Sequence, residues 1–529
     1  MGEKSVPNPK PPPNLTPYRG RWIAYLGERV IGQGGTPNQA ICAAKATRHK
    51  EKPRVIYVPM QKPFTFSPLF ESVQKILASS PTVYLVGGAI RDTMLSNPIH
   101  DLDFVLPADT FLCARKVANQ LGGAFYPLDK ERETARVIIT NGSGQRQIID
   151  FAAFRGDTLE DDLRARDFTI NAMAVSLQNP TALLDPLGGA ADLREGILRS
   201  CSEHTFQDDP LRILRAVRQA AQFNLHITSQ TRSQIKKAAG HITNVSPERL
   251  RDELFRILDG PKQSSALKAL ELLGAFSHLF PEKAQFSLRA QRTLQYLETL
   301  LNLLGEKHDP EVAANWMRGL VVLRLGRYRS ELSSHLGLEL VSERSLAPLL
   351  FLAATYTENF SEENAETPNL EPLIRRAHAL HLSNAETAHL QAALRAVKRF
   401  WRLSLEPQPP NRREIYRYFH KVGKAGVDAI FLALADFLAL HGTAPPKDAW
   451  AKQLDWARTL LEAWWEHHAE QISPPALLTG IDLMNALEIS PGPLVGELLE
   501  IIREAQAAGE ISTRTEALAH VRQLPQTQS

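Results

Sequence analysis

The sequence predicts an α+β protein: a small N-terminal ββαβ module, an α/β head, then an all-helical neck, body and tail. Three observations predict this. Strand-like and helix-like runs alternate from Val83 to about Leu184. Strand signals nearly stop after about Ala190. Later segments space their apolar residues at the helical period. Hydrophobic residues make up 43% of the 529 and charged residues 22%, which excludes wholesale disorder. Lys and Arg total 61 against 58 Asp and Glu, so the net charge of +3 excludes a uniformly basic nucleic-acid coat.

The elements follow in order. Residues 4–17 are Pro-rich and read as an extended tail. RWIAYLGERVIGQG reads as two short strands around a Gly-containing turn, PNQAICAAKATRHK as a helix and RVIYVPM as a strand. Residues 1–54 hold ten Lys/Arg and three Asp/Glu, a charge of +7. Such a piece can hold a polyanion. A solubilising surface accounts for the same charge, and no catalytic set is visible in it.

QKPFTFSP is the joint to the head. There TVYLVGG, DLDFVLP, ARVIIT and RQIIDFAAF read as strands. AIRDTMLSN starts a helix, and TFLCARKVANQLGG is a helix closed by glycine. Beyond it DDPLRILRAVRQAAQF, SPERLRDELFRILDG and SSALKALELLGAFSHLF have helical spacing, with breaks at TENFSEENAETPN and EPQPPNRR. These shifts divide the chain at 1–60, 68–190, 191–262, 263–405 and 406–529.

No apolar run approaches the ~20 residues that span a bilayer, and MGEKSVPNPKPPPN lacks an apolar signal core. No membrane partner is expected, and no obligate protein partner is evident. Cys42, Cys113 and Cys201 offer neither zinc spacing nor a disulfide framework, which fits a cytoplasmic location.

The most informative stretch is VYLVGGAIRDTMLSNPIHDLDFVL. Asp101 and Asp103 sit two apart in an apolar strand. Period-two alternation puts both carboxylates on one face, about 6–7 Å apart. Such a pair suits Mg²⁺, which takes few protein ligands and leaves room for phosphates. Gly87 and Gly88 close the preceding strand at a helix start, where backbone N–H groups can approach a phosphate. Arg91, one turn on, can reach the same anion. A lone Asp-x-Asp is more often a surface turn; this context is far more specific.

The constellation resembles the nucleotidyltransferase superfamily that includes DNA polymerase beta. The resemblance implies that Asp101 and Asp103 hold two metal ions, with a third acid from a nearby strand. Asp150, in IIDFAAF, is the candidate. A strand-end acid facing water is its other reading.

In EDDLRARDFTINAMAV, Arg164 and Arg166 can neutralise a triphosphate and Asn171 can donate a hydrogen bond. Taken alone, the stretch reads as a charged helix start followed by core. It resembles the RRDFTINA motif of tRNA nucleotidyltransferases and bacterial poly(A) polymerases, with Ala165 in place of the first arginine. The resemblance implies that Arg166 contacts nucleotide phosphates. LLDPLGGAADLREGILR follows here as it does there.

DDPLRILRAVRQ reads as a helix that begins with two acids. Asp209 and Arg212 are three apart, hence neighbours, and Arg215 and Arg218 continue a row that winds around the helix. A carboxylate accepts hydrogen bonds and a guanidinium only donates them. Cytosine and adenine each present an amino donor beside a ring-nitrogen acceptor, so the pair complements both and mismatches guanine and uracil. A surface salt bridge is the alternative. The stretch resembles the E/D-D-x-x-R motif of the bacterial and eukaryotic class of tRNA nucleotidyltransferases. That implies base reading by Asp209 and Arg212 and nucleotide holding by Arg215 and Arg218.

These resemblances cover Val83 to Asp259 in family order. They imply a nucleotidyltransferase head, a neck carrying the base-recognition helix, and an RNA-holding body and tail. The expected function is template-independent addition of C and/or A from CTP and ATP to the 3′ end of tRNA, with two Mg²⁺ ions. Poly(A) polymerase is the second reading, and a catalytically silent RNA-binding protein the third. His308 and Asp309 run into Pro310 and Glu311 without the spaced histidines of a phosphohydrolase, so none is expected.

Overall fold

The computed structural model describes residues 14–45, 52–59, 64–80, 82–99, 101–140, 144, 146–283, 285–305, 316–341, 344–357, 369–442 and 444–524. Most of the Pro-rich tail, most of TENFSEENAETPN and His308–Glu311 lie outside the described residues. The chain forms two compact units, Met1–Ile242 and Thr243–Ser529.

The first unit begins with the ββαβ module: β1 (Arg21–Leu26), β2 (Arg29–Gly34), α1 (Pro37–Lys45) and β3 (Arg54–Val58). Its antiparallel sheet has the order β2-β1-β3. Gly27, at φ 54°, makes the reversal that a side chain would strain. One sheet face buries Ile23, Tyr25 and Val58; the other buries Ala24 against Ala40 and Ala44 of α1.

The module docks on the head edge. Trp22 Nε1 donates to Leu183 O at 2.9 Å and Gln39 Nε2 to Pro186 O at 2.8 Å. Asp185 N donates to Gly35 O at 2.8 Å. A Cβ on Gly35 would stand 1.4 Å from Asp185 O, so only glycine permits this approach.

The head comprises α2 (Pro68–Ile76), β4 (Tyr84–Val86), α3 (Gly88–Leu95), β5 (Asp101–Leu106), α4 (Thr110–Leu121), β6 (Ala124–Asp129), β7 (Thr134–Thr140), β8 (Arg146–Ala153), α5 (Leu159–Arg164), β9 (Ala174–Ser176), β10 (Asn179–Leu184) and α6 (Gly189–Arg194). Its seven strands lie in the order β10-β9-β4-β5-β8-β7-β6, with β5 and β8 parallel and the other neighbours antiparallel. One face buries Leu85, Leu102, Phe104, Val137, Ile149 and Phe151 against Phe70 of α2 and Val117 of α4. Alternation therefore turns Asp101, Asp103, Arg136 and Asp150 to the opposite face. Strands β6, β9 and β10 are additional to the sequence reading. PLDKERETA is a hairpin, its turn fixed by Asp129 Oδ1 accepting from Glu131 N at 2.9 Å and Arg132 N at 3.1 Å.

The helix expected over DDPLRILRAVRQAAQF is broken. Asp208 closes α7 (Thr205–Asp208), Asp209 is extended at φ −148°, and α8 runs Arg212–Phe223. The two acids therefore do not head the long helix. Pro210 is the reason, because a residue before proline is pushed out of helical backbone.

Among the described residues, the second unit is helical apart from two short antiparallel strands, Glu339–Val341 and Arg344–Ser345. The helix Ala425–His441 packs against Leu288–Leu304 and Asn384–Leu405. Its buried polar groups are paired. Asp436 meets Arg289 at 2.7 Å, and Asp428 sits between His335 at 2.7 Å and His389 at 2.5 Å. The helices Gly480–Leu487, Pro493–Ala508 and Arg514–Arg522 share a core that includes Leu483, Leu498, Ile502, Ala517 and Val521. Among the described residues, no helix is long and apolar enough to cross a membrane.

Candidate active site

The sheet register assembles the acids. Asp103 of β5 stands opposite Asp150 of the parallel β8, Asp150 opposite Arg136 of β7, and Asp103 opposite Val86 of β4. Opposite residues share a face, so Asp103, Asp150 and Arg136 form one row, with Asp101 two residues up the same strand. Burial, together with Asp150 and Asp101, pushes the Asp103 carboxyl up to about 6, against the pull of Arg166 and Arg215. Asp101, Asp103 and Asp150 thus face the same side of the sheet, and carboxylate oxygens are the donors a hard divalent cation takes. Asp150 carries a partner already: Arg136 Nε meets Oδ1 and Nη2 meets Oδ2, both at 2.9 Å.

The glycine turn lies beside this row. Gly87 has φ 79° and caps α3. A Cβ there would lie 3.2 Å from Arg166 Nη1 and 3.5 Å from Asp103 Oδ2, so cation and acid converge on a point kept free of side chain. The Gly87 N–H is drawn to Met173 O at 3.3 Å. Arg166 is aimed from behind by the buried Asp162, which takes Nε and Nη2 at 3.0 Å. Arg164 is turned away and pairs with Glu160 at 2.8 Å on the exposed side of α5.

Asn171 is a hub. Its Oδ1 accepts from Arg91 Nη1 at 2.7 Å, and its Nδ2 donates to Asp167 Oδ1 at 2.9 Å and to Gln219 Oε1 at 3.0 Å. Arg91 is further fixed by Asp92 and by the Phe223 ring, 4.3 Å beneath its guanidinium. The LDPLGG stretch supports the hub from below. Asp185 caps α6 by accepting from Gly189 N at 2.7 Å and Ala190 N at 3.0 Å. A Cβ on Gly189 would meet Thr169 O at 2.0 Å.

From α8, Arg215 reaches Asp167 and Arg218 reaches Gln222 at 3.3 Å. Arg212 is buried, and its guanidinium clamps backbone carbonyls: Ala165 O at 2.9 Å, Thr205 O at 3.3 Å and Arg166 O at 3.4 Å. Asp209 Oδ1 accepts from Leu211 N at 3.2 Å. Arg212 and Arg215 of α8 thus grip the segment that carries Arg166, through Ala165, Arg166 and Asp167, whereas Asp209 contacts Leu211 and Arg218 contacts Gln222. Sequence reasoning missed Arg136, Asp162 and Gln219. A charged residue inside the apolar strand ARVIIT was the one available signal for the first.

Carboxylates on one face of the central strands, beside a side-chain-free turn approached by arginines, define a nucleotidyltransferase. Family models agree along the chain: Poly A polymerase head domain at 83–199, an RNA- and SrmB-binding site of polymerase A at 224–286, and tRNA nucleotidyltransferase domain 2 at 466–521. A family of unknown function matches the N-terminal module at 15–61. The CC-adding tRNA nucleotidyltransferase of Geobacter sulfurreducens is 33% identical, over 82% of this chain and 90% of that enzyme. The A-adding tRNA nucleotidyltransferase of Deinococcus radiodurans is 30% identical, over 83% and 95%. A solved apo structure of a CCA-adding enzyme shares the fold, with a TM-score of 0.61 at 22% identity, over 86% of this chain and 94% of that one. The chain belongs to the tRNA nucleotidyltransferase family, whose members generally use divalent metal ions.

Proposed function

We propose that this enzyme adds C and/or A, from CTP and ATP, to the 3′ end of tRNA without a template. The observation that carries the reading is the convergence of Asp103 and Arg166 on Gly87, beside the segment gripped by α8. The 3′-hydroxyl of the RNA attacks the α-phosphorus and pyrophosphate leaves. Two Mg²⁺ ions, held by Asp101 and Asp103 with Asp150 as third acid, would supply hydroxyl activation and leaving-oxygen stabilisation.

The chain's own groups do the rest by position and charge. Gly87 and Gly88 leave room for phosphate. Arg91, Arg166, Arg215 and Arg218 offset its charge; the partners of Arg91 and Arg166 hold them as oriented cations. Asp209 and Arg212 discriminate the base, with Arg212 oriented by the carbonyls it clamps. The names of the relatives support tRNA as acceptor. The three free cysteines support a cytoplasmic setting.

Labelled CTP and ATP offered with tRNA ending before the CCA, after its first C or after its second C test the reading and fix how many nucleotides are added. Incorporation on one or more of these acceptors is expected. Long A tails on arbitrary RNA would favour the poly(A) polymerase reading, and absence of transfer to any acceptor would defeat both.

A further inference from the structure

The row across the sheet does not end at its acids. Arg136 stands directly opposite Asp150 and spans both carboxylate oxygens with a two-pronged grip, each contact 2.9 Å. Asp150 in turn stands opposite Asp103, in the crowded end of the row. The Arg136 side chain is 38% exposed and that of Asp150 27%, so the guanidinium can leave without unpacking a core. A divalent cation beside Asp150 would repel a guanidinium already on the same carboxylate. Both cannot hold Asp150 at full strength.

We propose that Arg136 is the counter-ion that Asp150 exchanges for a divalent cation. In the metal-free protein, Arg136 neutralises the third acid of the row and limits repulsion with Asp103. Metal entry takes Asp150 over and releases the guanidinium. Arg136 is thus a positioning residue that sets metal affinity. The inference rests on the reading of Asp150 as third acid in the proposed function.

The test is Mn²⁺ titration of the full chain without nucleotide, reading free ion by electron paramagnetic resonance. Arg136→Gln should bind Mn²⁺ about tenfold more tightly than the unaltered protein. Arg136→Lys, the milder change, should show a smaller gain in the same direction. In an Asp150→Asn background, Arg136→Gln should change nothing, because the group it competes for is gone. Unchanged or weaker affinity in both Arg136 variants overturns the proposal, as does an equal gain in the Asp150→Asn background. Asp103→Asn separates the two levels. Metal lost in that variant while Arg136→Gln shows no gain overturns the exchange alone. Metal retained there at full affinity overturns the carboxylate site and the exchange with it.

Discussion

Arg215 donates twice to a single oxygen of Asp167, from Nε at 2.9 Å and from Nη2 at 2.6 Å. The other oxygen of Asp167 accepts from Asn171 and from the N–H of Phe168. One buried carboxylate therefore joins the base-reading helix to the segment that carries Arg166. Burial opposes its charge, but Arg215, Asn171 and Phe168 outweigh that and hold its pKa below the ordinary carboxylate value.

Replacing Asp167 with Ala should destabilise the first unit by about 3 kcal/mol, because Arg215 and Asn171 lose their shared acceptor. The depressed pKa also sets a pH dependence. Its stabilising contribution is full above the ordinary carboxyl value and fades as pH falls through the lower folded value. Urea melts between pH 6 and pH 2 should show a shallower acid decline for Asp167→Asn than for the unaltered protein. Parallel declines would contradict the assignment.

Asp103 behaves with the opposite sign. Its folded pKa is raised from 3.8 to about 6, so folding favours the protonated acid. That contribution is full below the ordinary value and is lost as pH rises through about 6. In chelator, Asp103→Asn should be more stable than the unaltered protein at pH 8 and lose the advantage at pH 4. The same variant should lower nucleotide incorporation at least about a hundredfold. Normal turnover would remove Asp103 from the site.

Gly87 (φ 79°, ψ −138°) and Gly122 (φ 65°, ψ 28°) both have positive φ, but only Gly122 is left-handed helical; Gly87 lies in a region that glycine almost alone adopts. At Gly122 a side chain costs about 1–2 kcal/mol in backbone strain, and at Gly87 it costs more. At Gly122 a Cβ meets nothing, whereas at Gly87 it crowds Arg166 and Asp103. Both Ala variants should lose stability in thermal melts, Gly87→Ala the more. Only Gly87→Ala should lose turnover per folded molecule, and equal activities would show that the turn does not border the reacting phosphates.

Gly35 tests the seam between module and head. Val at this position cannot coexist with the approach to Asp185 O. Limited proteolysis of Gly35→Val should release a fragment cut between Leu15 and Met60, while the same protease leaves the unaltered module attached. Identical digestion patterns would mean that the seam is not what holds the module.

Much of the site is written in local sequence. Two aspartates at strand spacing must share a face, and Gly87-Gly88 before a helix marks a tight turn. The module's ββαβ order and the helical half follow from turn residues and periodicity. Other parts needed more. The break at Asp209 was signalled by Pro210, but the apolar rhythm of DDPLRILRAVRQ runs across it and reads as one helix. The three-residue β9 is too short to show a period, yet pairing with β4 and β10 fixes it.

By itself the sequence determined which groups stand on which side of each strand and helix, because backbone period is a property of neighbouring residues. Strand order, and everything that depends on it, was decided by the tertiary structure. Only the placement of β8 between β5 and β7 sets Asp150 between Asp103 and Arg136. Only the docking of α8 brings Gln219 to Asn171 and Arg212 to the carbonyl of Ala165. Those partners are 14 to 48 residues apart. Their meeting depends on how the sheet closes over its core, which no local pattern encodes.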